Sequence, residues 1–193
     1  MIATPALRAL RSATAPAHEA LETQARIEAR LADRATRGSL VADFHRFHAG
    51  LEATAHPMVL NLRDDYPVRS RAEGICRDLR DLGIAPPPVR PMTPPASAGE
   101  ALGRVYVAEG SMLGGRIIRR RLAAQGVDLT GLSFLDPWAD DTGARWRGFI
   151  AAMERACVEG VADVDAVVRG GIDGFAFAQR ALADRCGTET PVD

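Results

Sequence analysis

The sequence predicts an all-α domain, and three observations carry that reading. Apolar residues recur at spacings of three and four along most of the chain, the period of one helix face. No alternating apolar–polar run of useful strand length occurs anywhere. The balance of 47% hydrophobic and 25% charged residues over 193 positions is that of an ordinary globular protein. The length suits one domain covering 1–193, with about seven helices, more compact than an up-down bundle.

The elements follow in order. Residues 5–15 (PALRALRSATA) predict a short amphipathic helix with Leu7, Leu10 and Thr14 on one face and Arg8 and Arg11 beside it. Pro16 should kink that helix or start the next, with Thr14 the better cap. In the run 16–33, His18, Leu21, Glu22 and Ala25 share a face, which puts an imidazole near a helix start among apolar neighbours. Such an imidazole stays neutral, the form that binds metal, and Glu22 one turn on could orient it. Taken alone, a histidine of this kind is more often structural or exposed. A third helix spans 39–62, capped by Ser39, with Phe44, Phe47, His48 and Leu51 on its buried side and Pro57 bending or restarting it. His45, His48 and His56 lack the partners of a metal set and read as core-edge or surface histidines. Asp64, Asp65 and Pro67 mark a turn.

A short helix at 69–82 ends at Gly83, and the six prolines of 84–99 make a semi-rigid connector inside the domain. Residues 101–122 follow as a long helix, ended by Gly126. After a loop at 129–137, a helix at 141–158 starts from Asp141 or Thr142 and buries Trp146, Phe149, Ile150 and Met153. The last helix, about 163–184, is lined by Val164, Val167, Val168, Ile172, Phe175, Ala176 and Leu182 and contains Gly170, Gly171 and Gly174. The tail from Gly187 is expected to fray.

The long helix is the odd one. Gly110, Gly114 and Gly115 sit in its middle, each costing roughly 1 kcal/mol relative to Ala. Gly110 and Gly114 lie one turn apart on one face and bare a flat strip of backbone. Either a second helix packs there or a large flat ligand does. GSMLGG matches no phosphate-binding loop. The arginines 116, 119, 120 and 121 read as a solvated end matched to the helix dipole.

Composition excludes some classes. Twenty-four basic and 25 acidic residues give a net charge of −1, so nucleic acid is not the default partner. Every basic residue apart from histidine is Arg, so an anion clamp must use Arg or His. Cys76, Cys157 and Cys186 form no CxxC, which argues for a reducing compartment and against disulfides or structural zinc. No signal-type segment or membrane-length apolar run is seen, so a soluble cytoplasmic protein with no membrane partner is expected.

Two stretches, LRSATAPAHEALE at 10–22 and YVAEGSMLGGRII at 106–118, resemble the heme oxygenases, and the chain is similar to the bacterial biliverdin-producing members, including those found beside bacteriophytochromes. The likeness covers nearly the whole chain in helix order, and the pair of motifs in this order is specific. It implies a heme-oxygenase-like fold. It also implies heme b as both substrate and prosthetic group, opened with O2 and electrons from an external reductase or ferredoxin to biliverdin, CO and Fe2+. A bacteriophytochrome is the implied recipient of the biliverdin. His18 then corresponds to the axial iron ligand, Glu22 to its supporting carboxylate, and Gly110 and Gly114 to the glycines flanking the oxygen site. Arg11 stands near a propionate position, and Phe175 borders the heme. Ser111 stands where mammalian members have an Asp that holds a water network. Their late-helix Arg has no clear match, Arg145 and Arg147 being the nearby arginines. Two other readings stand beside this one: a heme carrier or phytochrome partner that turns over poorly, and a helical enzyme acting on a small heterocycle.

Overall fold

The computed structural model describes residues 5–60 and 66–183. Among these are seven α-helices and two 3-10 turns. They are α1 (Pro5–Ala25), α2 (Ile27–Ala32), α3 (Arg34–Leu60), α4 (Ala72–Asp81), α5 (Ala98–Ala124), α6 (Thr142–Val158) and α7 (Val164–Leu182), with 3-10 turns at Ser133–Leu135 and Ala139–Asp141. The expected tail beyond Gly187, and Asp64, Asp65 and Cys186, lie outside the described residues.

Prolines do not set the boundaries as the sequence suggested. Pro16 lies inside α1 and Pro57 inside α3. Pro16 is exposed, so its ring faces solvent and the helix forgoes one backbone hydrogen bond without burying an orphaned group. The break between α1 and α2 comes at Arg26, which is left-handed with φ 44°. His18 is therefore well inside a helix. Thr14 is no cap: it is buried, and its hydroxyl donates to the Leu10 carbonyl at 2.8 Å. Ser39 likewise lies within α3 and donates to the Thr36 carbonyl, while Asp33 accepts from the Ala35 N–H at 2.9 Å and caps the helix. Thr142 begins α6, and Asp141 makes no side-chain cap.

Other starts obey simple capping chemistry. Ser97 accepts from the Glu100 N–H, and the Glu100 carboxylate accepts from the Ala96 N–H at 2.8 Å. Asp163 accepts from the Ala166 N–H at 2.9 Å. Gly83 adopts φ 71° just past α4, as a helix stop requires.

Helix α5 runs through the middle, packed on α7, α3 and α6, and α1 packs on α7. The crossing of α5 on α7 is where close helix contact occurs. A Cβ on Gly103 would run into the Val167 carbonyl and the Gly171 N–H, and one on Gly170 into the Glu100 carbonyl. The last helix's glycines thus serve packing, and Ile172, expected in the core, is 46% exposed. A buried guanidinium fixes the far end of α7: Arg30 donates to the Leu182 carbonyl at 2.9 Å and to Asp43 of α3 at 3.2 Å. His45 and His48 are both buried, His48 completely, so neither is a surface histidine and His48 keeps the buried side that its spacing gave it.

Candidate functional site

A cavity of about 590 Å³ opens between α1 and the middle of α5, a size that takes a substantial organic ligand. Its walls are mostly apolar. Phe44 and Phe47 come from α3, Phe134 and Leu135 from the first 3-10 turn, Trp146 from α6 and Phe175 from α7. Every site residue singled out in the sequence lines it: Arg11, His18, Glu22, Gly110, Ser111, Gly114 and Phe175.

The three central glycines of α5 divide their work. A Cβ on Gly115 would collide with the Leu135 carbonyl, so that glycine exists for packing. A Cβ on Gly110 would make ordinary contact with Trp146 at 3.6 Å, and one on Gly114 would meet nothing within 4 Å. Ser111 donates its hydroxyl to the Ala108 carbonyl at 2.7 Å, which leaves its oxygen lone pairs available as acceptors.

On the opposite wall, the His18 side chain is 59% exposed and its ring meets the edge of Phe175, with centroids 5.7 Å apart. Glu22 places a carboxylate oxygen 3.7 Å from His18 Nδ1, beyond direct hydrogen-bond distance.

Three residues of the site were missed in the sequence. Tyr106 lies beside Arg11, and burial holds its phenol above the usual range while the Arg11 guanidinium works the other way. Arg71 is buried at the cavity wall. Its Nη2 donates to the Phe134 carbonyl at 2.8 Å, and its Nε and Nη1 have no protein partner. Burial brings its pKa down to about 10, opposed by Glu109 and Glu52, so it stays cationic at neutral pH. Two unpartnered nitrogens, carrying three N–H donors on a buried cation, favour an anion or ordered water. Trp146 is the third. Tyr106 and Trp146 read in the sequence only as apolar helix positions, and Arg71 reads as one arginine among many. By contrast, Arg145 does not line the cavity; it stacks on Trp138 at 4.4 Å and Tyr66 at 5.6 Å, and Arg147 does not line it either.

Among the described residues no group of three His, Cys, Asp or Glu could hold a metal ion by itself, and no helix is long and apolar enough to cross a membrane. The arrangement defines an all-α protein with a large, mostly apolar cavity that has an imidazole on one wall and a stretch of bare helix backbone on the other.

The comparisons agree with that class. No protein-family model matches the chain. A heme oxygenase of Xanthomonas campestris pv. campestris (strain 8004) is 33% identical over 154 residues, which cover 78% of this chain and 91% of the relative. The NO- and CO-bound heme oxygenase from Neisseria meningitidis superposes with a TM-score of 0.74 at 21% identity, over 91% of this chain and 88% of that one, and so shares the fold. The chain belongs to the heme oxygenase family.

Proposed function

We propose that this chain oxidatively opens heme to biliverdin, CO and Fe2+, with heme seated in the cavity between α1 and α5. One observation carries the reading: His18 and the open backbone at Gly114 line the same cavity. A single imidazole suits a ligand that brings four ring nitrogens of its own. Bound heme supplies the iron that activates O2, and its own ring is what is oxidised.

The chain's residues do the rest. His18 holds the iron from the α1 side, steadied by the Phe175 edge and, through water, by Glu22. Gly110 and Gly114 would offer bare backbone on the α5 wall, with open space at Gly114 and Trp146 beside Gly110. Arg11 and Tyr106 supply a cation and a phenol for a propionate. Ser111 and the free N–H groups of Arg71 hold ordered water on the α5 side, from which protons reach the site. The apolar walls exclude bulk water. Electrons come from a reductase or ferredoxin, and a bacteriophytochrome is a fitting recipient for the product.

Purified protein titrated with hemin should develop a Soret band at one heme per chain, and His18→Ala should abolish it. Reductant and O2 should then bleach the band and raise the absorption of biliverdin. A stable band with no biliverdin would favour a heme carrier instead. No stoichiometric spectrum would sink both.

A further inference from the structure

The segment from Ser133 to Asp141 gives the cavity two wall residues, Phe134 and Leu135, and then leads to α6, and it is held from two sides. From α4, the Asp78 carboxylate accepts from the Ser133 and Phe134 N–H groups at 2.9 and 2.8 Å, and Arg71 donates to the Phe134 carbonyl. From α5, the polar hold among the described residues comes from Arg116. Its Nη1 donates to the Ala139 carbonyl, its Nε lies 3.8 Å from Asp136 Oδ2, and its Nη2 donates to Asp140 at 3.4 Å.

Several features mark this clamp as more than a surface ion pair. The Arg116 and Asp136 side chains are only 24% and 13% exposed, so their attraction is less screened than a surface pair. Ala139, whose carbonyl Arg116 takes, is left-handed with φ 46°, a conformation an alanine keeps only when its surroundings hold it there. Asp136 also accepts from the Thr142 hydroxyl at 2.9 Å. Thr142 begins α6, and Trp146 stands one turn further on, over Gly110. The clamp therefore ties the stretch that follows the Phe134–Leu135 wall to the start of α6, which carries Trp146, while Arg116 does not itself line the cavity.

We infer that Arg116 is a positioning residue that fixes the in-plane seating of the heme, and through it which meso carbon is attacked. The inference rests on the heme-cleavage reading above. A flat ligand gripped on its two faces by His18 and α5 can still slide or turn in its plane. That motion is resisted by the Arg11–Tyr106 end and by the side walls, and Arg116 braces from α5 the segment that joins two of those walls.

The test is the biliverdin isomer ratio by product chromatography from hemin, reductant and O2, for wild type, Arg116→Gln, Arg116→Lys and Asp136→Asn. Arg116→Gln should still bind one hemin and should shift the ratio by about twofold or more. Arg116→Lys, keeping charge without the fork, should restore it in part. Asp136→Asn weakens the same clamp from the loop side and should shift the ratio in the same direction, which guards against a folding defect peculiar to α5. Wild-type isomer ratios in variants that fold and bind hemin would overturn the inference, even if their melting temperatures fall. Absence of biliverdin from the wild type would instead overturn the activity beneath it.

Discussion

The carbonyl oxygen of Leu135 occupies the space that a methyl group on Gly115 would need, whereas the next residue back, Gly114, faces open cavity. Two adjacent glycines in one helix thus answer to different demands. Gly115→Ala must push the 3-10 turn away and should cost about 1–3 kcal/mol of stability. Gly114→Ala meets no atom and should gain up to about 1 kcal/mol from better helix propensity. Its methyl group enters the site, however, so turnover should fall sharply. Urea unfolding of both variants, with hemin turnover alongside, checks the pair. Equal destabilisation would show that Gly114 is a packing glycine too.

His18 and Glu22 should respond unequally. His18→Ala removes the proposed iron ligand, and the Soret band of a stoichiometric complex should vanish. Glu22 sits 3.7 Å from the ring, so its support is indirect, and Glu22→Gln should weaken hemin binding by about tenfold at most. Titration at fixed ionic strength measures both. A Glu22→Gln loss as large as that of His18→Ala would mean that the carboxylate does more than orient the ring.

Helix periodicity was enough to mark the helical runs, but it split 5–33 at Pro16 where the structure breaks at Arg26, so α2 was not seen as a separate helix. Boundaries were less legible. Pro16 and Pro57 look like stops, yet a proline on a solvent face of a well-packed helix costs one hydrogen bond, and tertiary contact outweighs it. Arg26, the true break, is an ordinary arginine whose left-handed φ no local pattern announces. The site's glycines and His18 were legible as a pair of motifs. Arg71 was not, since a buried cation is recognised only by what surrounds it. The role of Gly99 and Gly103 was equally hidden, because their partners at and in α7 lie more than sixty positions later in the sequence.

Glu52 is the buried carboxylate on which Arg71 depends. It accepts from the Arg71 N–H at 2.8 Å, the Ala72 N–H at 3.1 Å and the Ser70 hydroxyl at 2.7 Å, and so ties the start of α4 to α3. Glu52→Ala orphans those buried donors and should cost roughly 3 kcal/mol. Arg71 should then lose its register at the cavity wall, and turnover should drop in protein that remains folded at low temperature. Chemical denaturation and single-turnover kinetics test the two effects separately. Unchanged turnover in the folded variant would show that Arg71 is positioned by other contacts.

Acid should destabilise the protein through the α3 histidines. Burial lowers the pKa of His56 from 6.5 to about 4. Burial also lowers those of His48 and His45, helped by the positive charges of Arg71 and Arg46 respectively. Between pH 6.5 and about 4 the unfolded chain takes up a proton at residue 56 that the folded chain refuses, so stability falls as pH falls through that window. Burial raises the pKa values of Asp43, Glu52 and Glu109, and these work in the opposite sense. The net slope is therefore a difference, and a variant isolates one contribution. His56→Gln cannot take up the proton, so between pH 7 and 4.5 it should lose about 2–3 kcal/mol less stability than wild type. Urea unfolding at the two pH values measures this. Parallel losses in wild type and variant would mean that residue 56 titrates alike in the folded and unfolded chains, and that burial does not hold it neutral.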